Sequence, residues 1–269
     1  MVSKIHSGDS NAIILLFNEL VSPDLKWVSL YWVFALTCLL MIVVIGFIKF
    51  PHVELTEDER MDTGSTFREL LRNRNVILYF LGIFAYVGTE QGIANWMSKF
   101  LQLYHSIDPA TGGATAISYF WLLITLGCFL GLLLLKLFDS RSVLVTFAAG
   151  GIITLCLALF GNKDIALIAF PATGFFLSIM WSVVFSLGMN SVPRHHGTFS
   201  GILCTGIVGG AVVPLIIGGL AELTGLKLAM MIMFATLGYI LYIGVWAKPI
   251  INNSVVRNWS ELFKIKVQQ

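Results

Sequence analysis

One acidic residue lies deep inside an apolar stretch of this sequence: Glu90, in FAYVGTEQGIANW, Phe84–Trp96. A carboxylate at mid-membrane costs about 2.5–3.5 kcal/mol on insertion scales. A residue kept at that cost faces a bundle interior or a wet cavity, where it hydrogen-bonds a ligand or takes up a proton. The structural reading is a neutral Glu tying two helices together. Gln91 and Asn95 are four residues apart and share a helix face, which begins about 100° from Glu90. The polar sector is therefore broad, as on a helix lining an aqueous cavity. Carboxylate and amide groups suit ligand hydroxyls, which both donate and accept. Trp96 and Trp181 offer flat faces for the apolar side of a ligand, and core packing or an interfacial belt explains either equally well. Gly88 and Gly92 give the same helix a small-residue face for close packing or local unwinding.

The remaining chemistry is sparse. The run LSIMWSVVFSLGMNSV, Leu177–Val192, carries Ser178, Ser182, Phe185 and Ser186 at helical spacing. Such a stripe is a close-packed interface or a cavity wall. Pro171 and Pro214 are expected to kink their helices. The segment from Gly197 to Gly219 is dense in glycine, which fits sliding helices or tight static packing. Gly127 and Gly131 form a GxxxG packing signal. His195 and His196 follow Pro193 in a turn and read as solvated. The four cysteines, Cys38, Cys128, Cys156 and Cys204, show no metal-ligand spacing and read as core-filling residues. HExxH, GxSxG and paired deep carboxylates do not occur, so the sequence predicts no enzyme, no metal and no cofactor.

These residues require membrane helices to position them. Of the 269 residues, 57% are hydrophobic and 12% charged, against about 25% charged in soluble domains. Mean hydropathy is +0.85. A net charge of +2 gives no basis for nucleic-acid binding. The sequence predicts an all-α polytopic protein with about seven spans, at 27–48, 76–100, 114–136, 143–160, 165–190, 198–222 and 228–247. Residues 49–75 form a charged linker with a short amphipathic helix near 66–73. Twelve of the 17 basic residues fall on one side: five in 49–75, then Lys136, Arg141, Arg194 and four from Lys248 onward. That excess predicts a cytoplasmic linker and C-terminal tail (249–269), and an extracytoplasmic N-terminal segment (1–26). One helix and a long linker before six closely spaced helices (76–248) look like the end of one bundle followed by a whole second one. The expectation is a truncated chain, or one product of a split gene, whose N-terminal bundle is missing.

Several segments resemble the major facilitator superfamily, specifically its fucose permease and glucose/galactose transporter group. Phe84–Trp96 resembles the YVGxExxIxxW pattern of that group's seventh helix. Leu177–Val192 is similar to its tenth helix. GTFSGILCTGIVGGAVVPLIIGGLAE, Gly197–Glu222, is similar to its eleventh, with IxGGAxxPxxxG. The resemblance covers roughly 27–250 and implies helices six to twelve of twelve. Two departures stand out: Cys128 lies where the group usually has Arg, in GCFLG, and Trp181 lies where a cavity tyrosine is usual. The resemblance implies a secondary active transporter in the cytoplasmic (inner) membrane, embedded in the lipid bilayer, carrying out proton-coupled sugar symport. The proton-carrying carboxylate is expected in the N-terminal bundle. It also implies an inner-gate role for Asp139 and Arg141, which ordinary positive-inside loop chemistry explains as well.

A receptor-like or structural seven-helix protein is the alternative. The last span has no Schiff-base lysine, and the D-R-Y and N-P-x-x-Y motifs of receptors are absent. No filter loop or charged ring suggests a channel.

Overall fold

The computed structural model describes residues 28–48 and 63–250. The chain divides into two units, Met1–Glu54 and Leu55–Gln269. In the first, α1 spans Val28–Phe47 and is apolar all round. The second contains α2 (Thr63–Arg72), α3 (Arg74–His105), α4 (Ala114–Leu137), α5 (Ser140–Phe160), α6 (Lys163–Leu177), α7 (Met180–Met189), α8 (His196–Thr205), α9 (Gly209–Thr224), α10 (Leu226–Met230) and α11 (Ile232–Trp246). A wide turn, Pro109–Gly113, leads into α4, and a tight one, Gly206–Val208, joins α8 to α9.

Six helical segments among the described residues are long and apolar enough to cross a membrane: Arg74–His105, Pro109–Leu137, Ser140–Phe160, Lys163–Met189, His196–Thr224 and Leu226–Trp246. With the shorter apolar helix in Tyr31–Phe47, they fall on the seven stretches expected from sequence. The amphipathic helix expected near 66–73 is α2, which buries Thr66 and Leu70 and exposes Phe67 and Arg68. The segment 1–26, most of the linker (49–62) and the tail beyond 250 lie outside the described residues. The span expected at 76–100 is longer, Arg74–His105, because its polar ends carry their own stop signals. The Asn73 side chain accepts from the Asn75 N–H at the start. At the end, Ser106 turns left-handed (φ 54°) and its N–H reaches the Leu101 and Gln102 carbonyls. At 32 residues, α3 is about 48 Å long, more than the roughly 30 Å hydrocarbon core.

The helix runs through both prolines. The interruptions fall instead at Ser178–Ile179, between α6 and α7, and at the turn Gly206–Val208. A proline removes one backbone donor, and in neither span does that alone end the helix.

α3 is the central strut. It buries Tyr79, Ile83, Ile93, Met97 and Phe100 completely and packs against α7, α9 and α11. α4 packs mainly on α6, and α5 packs on both α6 and α11. The outer surface is apolar: Ile168 is 72% exposed, Leu215 77% and Leu223 83%. A surface of this kind is stable in lipid and would aggregate in water. Lipid gives no help in pressing helices together, so packing depends on close backbone approach. Glycines supply it. A Cβ on Gly209 would run into the backbone of Phe84, and one on Gly88 into Val213. Gly127 and Gly131 do the same for α4 against Ser178 and Ile179. Gly197, Gly201 and Gly219 face open space. The glycine density of this span therefore has two parts, one packed on α3 and one not.

Gly209→Ala should destabilise the bundle by about 1–3 kcal/mol through overpacking, lessened by the roughly 1 kcal/mol that Ala gains over Gly in a helix. Gly219→Ala meets nothing and should be neutral or slightly stabilising. Thermal unfolding in detergent micelles checks both, and equal effects would contradict the crossing described.

Candidate functional site

Glu90 projects from the middle of α3 and is half-buried. The Tyr86 hydroxyl, one turn earlier, donates to Glu90 Oε2. The Gln91 amide donates to Glu90 Oε1 at 3.2 Å. Tyr86 itself is buried, at 5% exposure. Both bonds stay within α3, and among the described residues Glu90 makes no hydrogen bond to another helix. A Glu tying two helices together is therefore not what the structure shows. The Cys128 thiol of α4 lies within electrostatic reach of the Glu90 carboxylate and donates to the Ser178 carbonyl at 3.3 Å. A carboxylate has about four acceptor sites, and two are filled here. Glu90 keeps the capacity to accept from a ligand.

Asn95 and Trp96, a turn further along α3, line a groove of about 800 Å³ against α9. Its opposite wall is Gly210, Pro214 and Gly218, with Lys99 and Glu222 near one end. The absence of side chains on Gly210 and Gly218 makes room for Gln91 and for the Trp96 ring, which are the atoms a Cβ would meet there. The indole N–H of Trp96 donates to the Pro214 carbonyl at 3.0 Å. Its donor is thus committed to the scaffold, and its ring face is what the groove receives.

Trp181 is on α7. It stacks on Phe185, centroids 5.0 Å apart and planes 13° from parallel. Ser182 and Ser186 beside it are exposed, whereas Ser178 is buried and donates to Phe175 O at 2.7 Å. The serine stripe is accordingly split: Ser178 is a packing residue against Gly127, and Ser182 and Ser186 line a hollow of about 240 Å³ with Asn190. Asp139 caps α5 by accepting from the Arg141 N–H, and its other oxygen accepts from Arg141 Nε at 3.3 Å. The Arg141 guanidinium also donates to the Ala247 carbonyl at 3.1 Å, closing the C-terminal end of α11. These two loop residues knit α5 to α11 inside the bundle.

The structure thus brings Glu90, Gln91, Asn95 and Trp96 along one helix, as their spacing required, and places Trp181 on another. It also adds Tyr86, which the sequence reading passed over. The signal was present: Tyr86 and Glu90 are four residues apart, the spacing of a helical side-chain pair.

A model of the Major Facilitator Superfamily matches residues 10–212. The chain belongs to that superfamily. This facilitator is 32% identical over 221 residues to a "Glucose/galactose transporter" of Brucella abortus (strain 9-941), covering 80% of the chain and 52% of the relative. It is 23% identical to the "L-fucose-proton symporter" of Escherichia coli K12, covering 72% of the chain and 45% of the relative. The crystal structure of an E. coli fucose:proton symporter superposes with a TM-score of 0.67 at 19% identity, covering 86% of this chain and 60% of that one. The shared fold is that of a facilitator. The chain spans about half the length of the curated relatives it matches.

Tyr86→Phe in this facilitator keeps the ring and removes the hydroxyl. The loss of a bond to a charged acceptor should lower stability by about 1–3 kcal/mol, read as a fall in melting temperature at neutral pH. An unchanged melting temperature would show that Glu90 does not depend on this partner.

Proposed function

We propose that this chain supplies the C-terminal part of a secondary active transporter for sugars, working by alternating access with proton coupling. Family membership supports the transporter class, and the names of its relatives support a sugar as cargo. The observation that carries the reading is Glu90: a carboxylate in mid-span, braced only by residues of its own helix and left with free acceptor capacity. A residue held in that way is available to a ligand.

In this reading Glu90 accepts hydrogen bonds from sugar hydroxyls. Gln91 and Asn95 donate and accept beside it, and the ring faces of Trp96 and Trp181 cover the apolar side of the sugar. The coupling proton is carried by a carboxylate of an N-terminal bundle, to which α1 belongs as the last helix. The Glu90 side chain is braced by the Tyr86 hydroxyl and the Gln91 amide, and so is oriented before the sugar arrives, which lowers the cost of binding. Asp139 and Arg141 meet the N-terminal bundle at the inner gate when the cavity opens outward. The protein lies in the cytoplasmic membrane, with its C-terminus and the 49–75 linker inside, as the distribution of basic residues predicts.

Two transport measurements test this. The chain alone in proteoliposomes should not accumulate glucose, galactose or fucose; robust uptake would overturn the half-transporter reading. In the complete parent protein, Glu90→Gln should lower sugar affinity or uptake by about 10-fold or more, as loss of a charged hydrogen-bond acceptor implies. Wild-type uptake would refute a central role for Glu90.

A further inference from the structure

A second cavity, of about 390 Å³, opens at the opposite end of the bundle from the Asn95–Trp96 groove, between the start of α3 and the end of α11. Arg74, Asn75, Ser191 and Lys248 give it polar walls, and Tyr79, Tyr242 and Trp246 give it aromatic ones. Arg74 and Lys248 are exposed, and neither forms an ion pair among the described residues. Among the described residues no Asp or Glu lines the cavity. Arg141 lies within electrostatic reach of Tyr79 but is paired with Asp139, so it adds no net charge.

Two donors here lack partners among the described residues. Tyr79 is fully buried and its hydroxyl has no hydrogen bond there, and the Trp246 indole nitrogen is likewise buried and unpaired. The two rings lie against each other, centroids 5.3 Å apart. Buried donors are almost always satisfied, and an orphaned pair beside a cavity calls for an acceptor that the described residues do not supply.

We propose that this cavity binds a phosphate-bearing anion. Two cations and two residues with unpaired donors line the same space, and none of the described lining residues is a carboxylate. The rim identifies the more suitable source of that phosphate. Tyr242 is 54% exposed and Val245 65%, on the outer apolar surface beside the opening. The cavity therefore opens beside an exposed apolar surface of the kind that lipid covers. Basic pockets at helix ends on the cytoplasmic side are suited to anionic lipid headgroups. An anionic phospholipid would seat its phosphate between Arg74 and Lys248 and lay its chains along Tyr242 and Val245. The site shares no residue with the proposed sugar site and stands whether or not that reading does.

The test uses the full chain, purified in a neutral detergent, with phosphatidylglycerol and phosphatidylcholine as probes and native mass spectrometry as readout. Phosphatidylglycerol should bind saturably and more tightly than phosphatidylcholine. The double variant Arg74→Gln, Lys248→Gln should weaken it by about 30-fold, from roughly 1 kcal/mol per cation. Tyr79→Phe, which keeps charge and volume, should weaken it a few-fold. Lys248→Gln alone serves if the double variant unfolds. A parallel arm titrates inorganic phosphate. Failure to displace the lipid at millimolar phosphate supports the lipid as ligand. Displacement that is lost in the same variants supports the anion site and assigns it to a soluble phosphate. Unchanged affinity for both probes in the variants would overturn the proposal.

Discussion

The backbone of α3 at Phe84 and the backbone of α9 at Gly209 touch, and much of the molecule follows from that contact. No side chain larger than hydrogen fits between them. The approach fixes α9 against α3, and from there the polar face of α3 is set. Gly210 leaves room for Gln91, and Gly218 leaves room for Trp96. The groove beside Asn95 is therefore a consequence of the crossing, because the same glycines that bring the helices together leave space next to it. In lipid, where apolar side chains gain nothing by leaving solvent for one another, this kind of packing is what holds a bundle together.

Polar ties add direction to that packing, and most of them end on α3. The Thr89 and Thr236 hydroxyls pair between α3 and α11. Tyr239 donates to the Leu78 carbonyl, Trp96 to the Pro214 carbonyl, and the Lys227 N–H to the Tyr104 hydroxyl. Such bonds within membranes average only about 0.6 kcal/mol each, so they select geometry more than they supply stability. Glu90 is different. It is the residue most expensive to bury, yet its two bonds stay on its own helix. That contrast separates Glu90 from the polar residues of α3 that tie it to other helices.

The spans were legible because lipid imposes a length and a composition, and each run from Arg74 to Trp246 satisfies both. Side-chain commitments were less so. Trp96 read as a free stacking surface, but its N–H is held by a carbonyl 118 residues away, a contact that no local pattern encodes. Ser178 and Ser182 share one helical stripe in sequence, but the interruption at Ser178–Ile179 sends one into the packing and leaves the other exposed. Pro171 and Pro214 lie inside unbroken helices, and the interruptions fall at Ser178–Ile179 and Gly206–Val208 instead. Tyr86 was within reach of sequence reasoning through its spacing from Glu90. The basic cavity was not, since Arg74, Tyr79, Ser191 and Lys248 meet only when the bundle closes and each is ordinary alone.

The central claim is that the face of α3 bearing Glu90, Gln91 and Asn95 lines a water-filled cavity. Reaction with a membrane-impermeant, water-soluble thiol reagent tests it directly, in the membrane-embedded protein freed of its native cysteines. Gln91→Cys and Asn95→Cys should react readily, and Ile93→Cys and Met97→Cys, whose native side chains are fully buried, should not. Equal protection of all four positions, or reaction at the buried pair alone, would contradict the account.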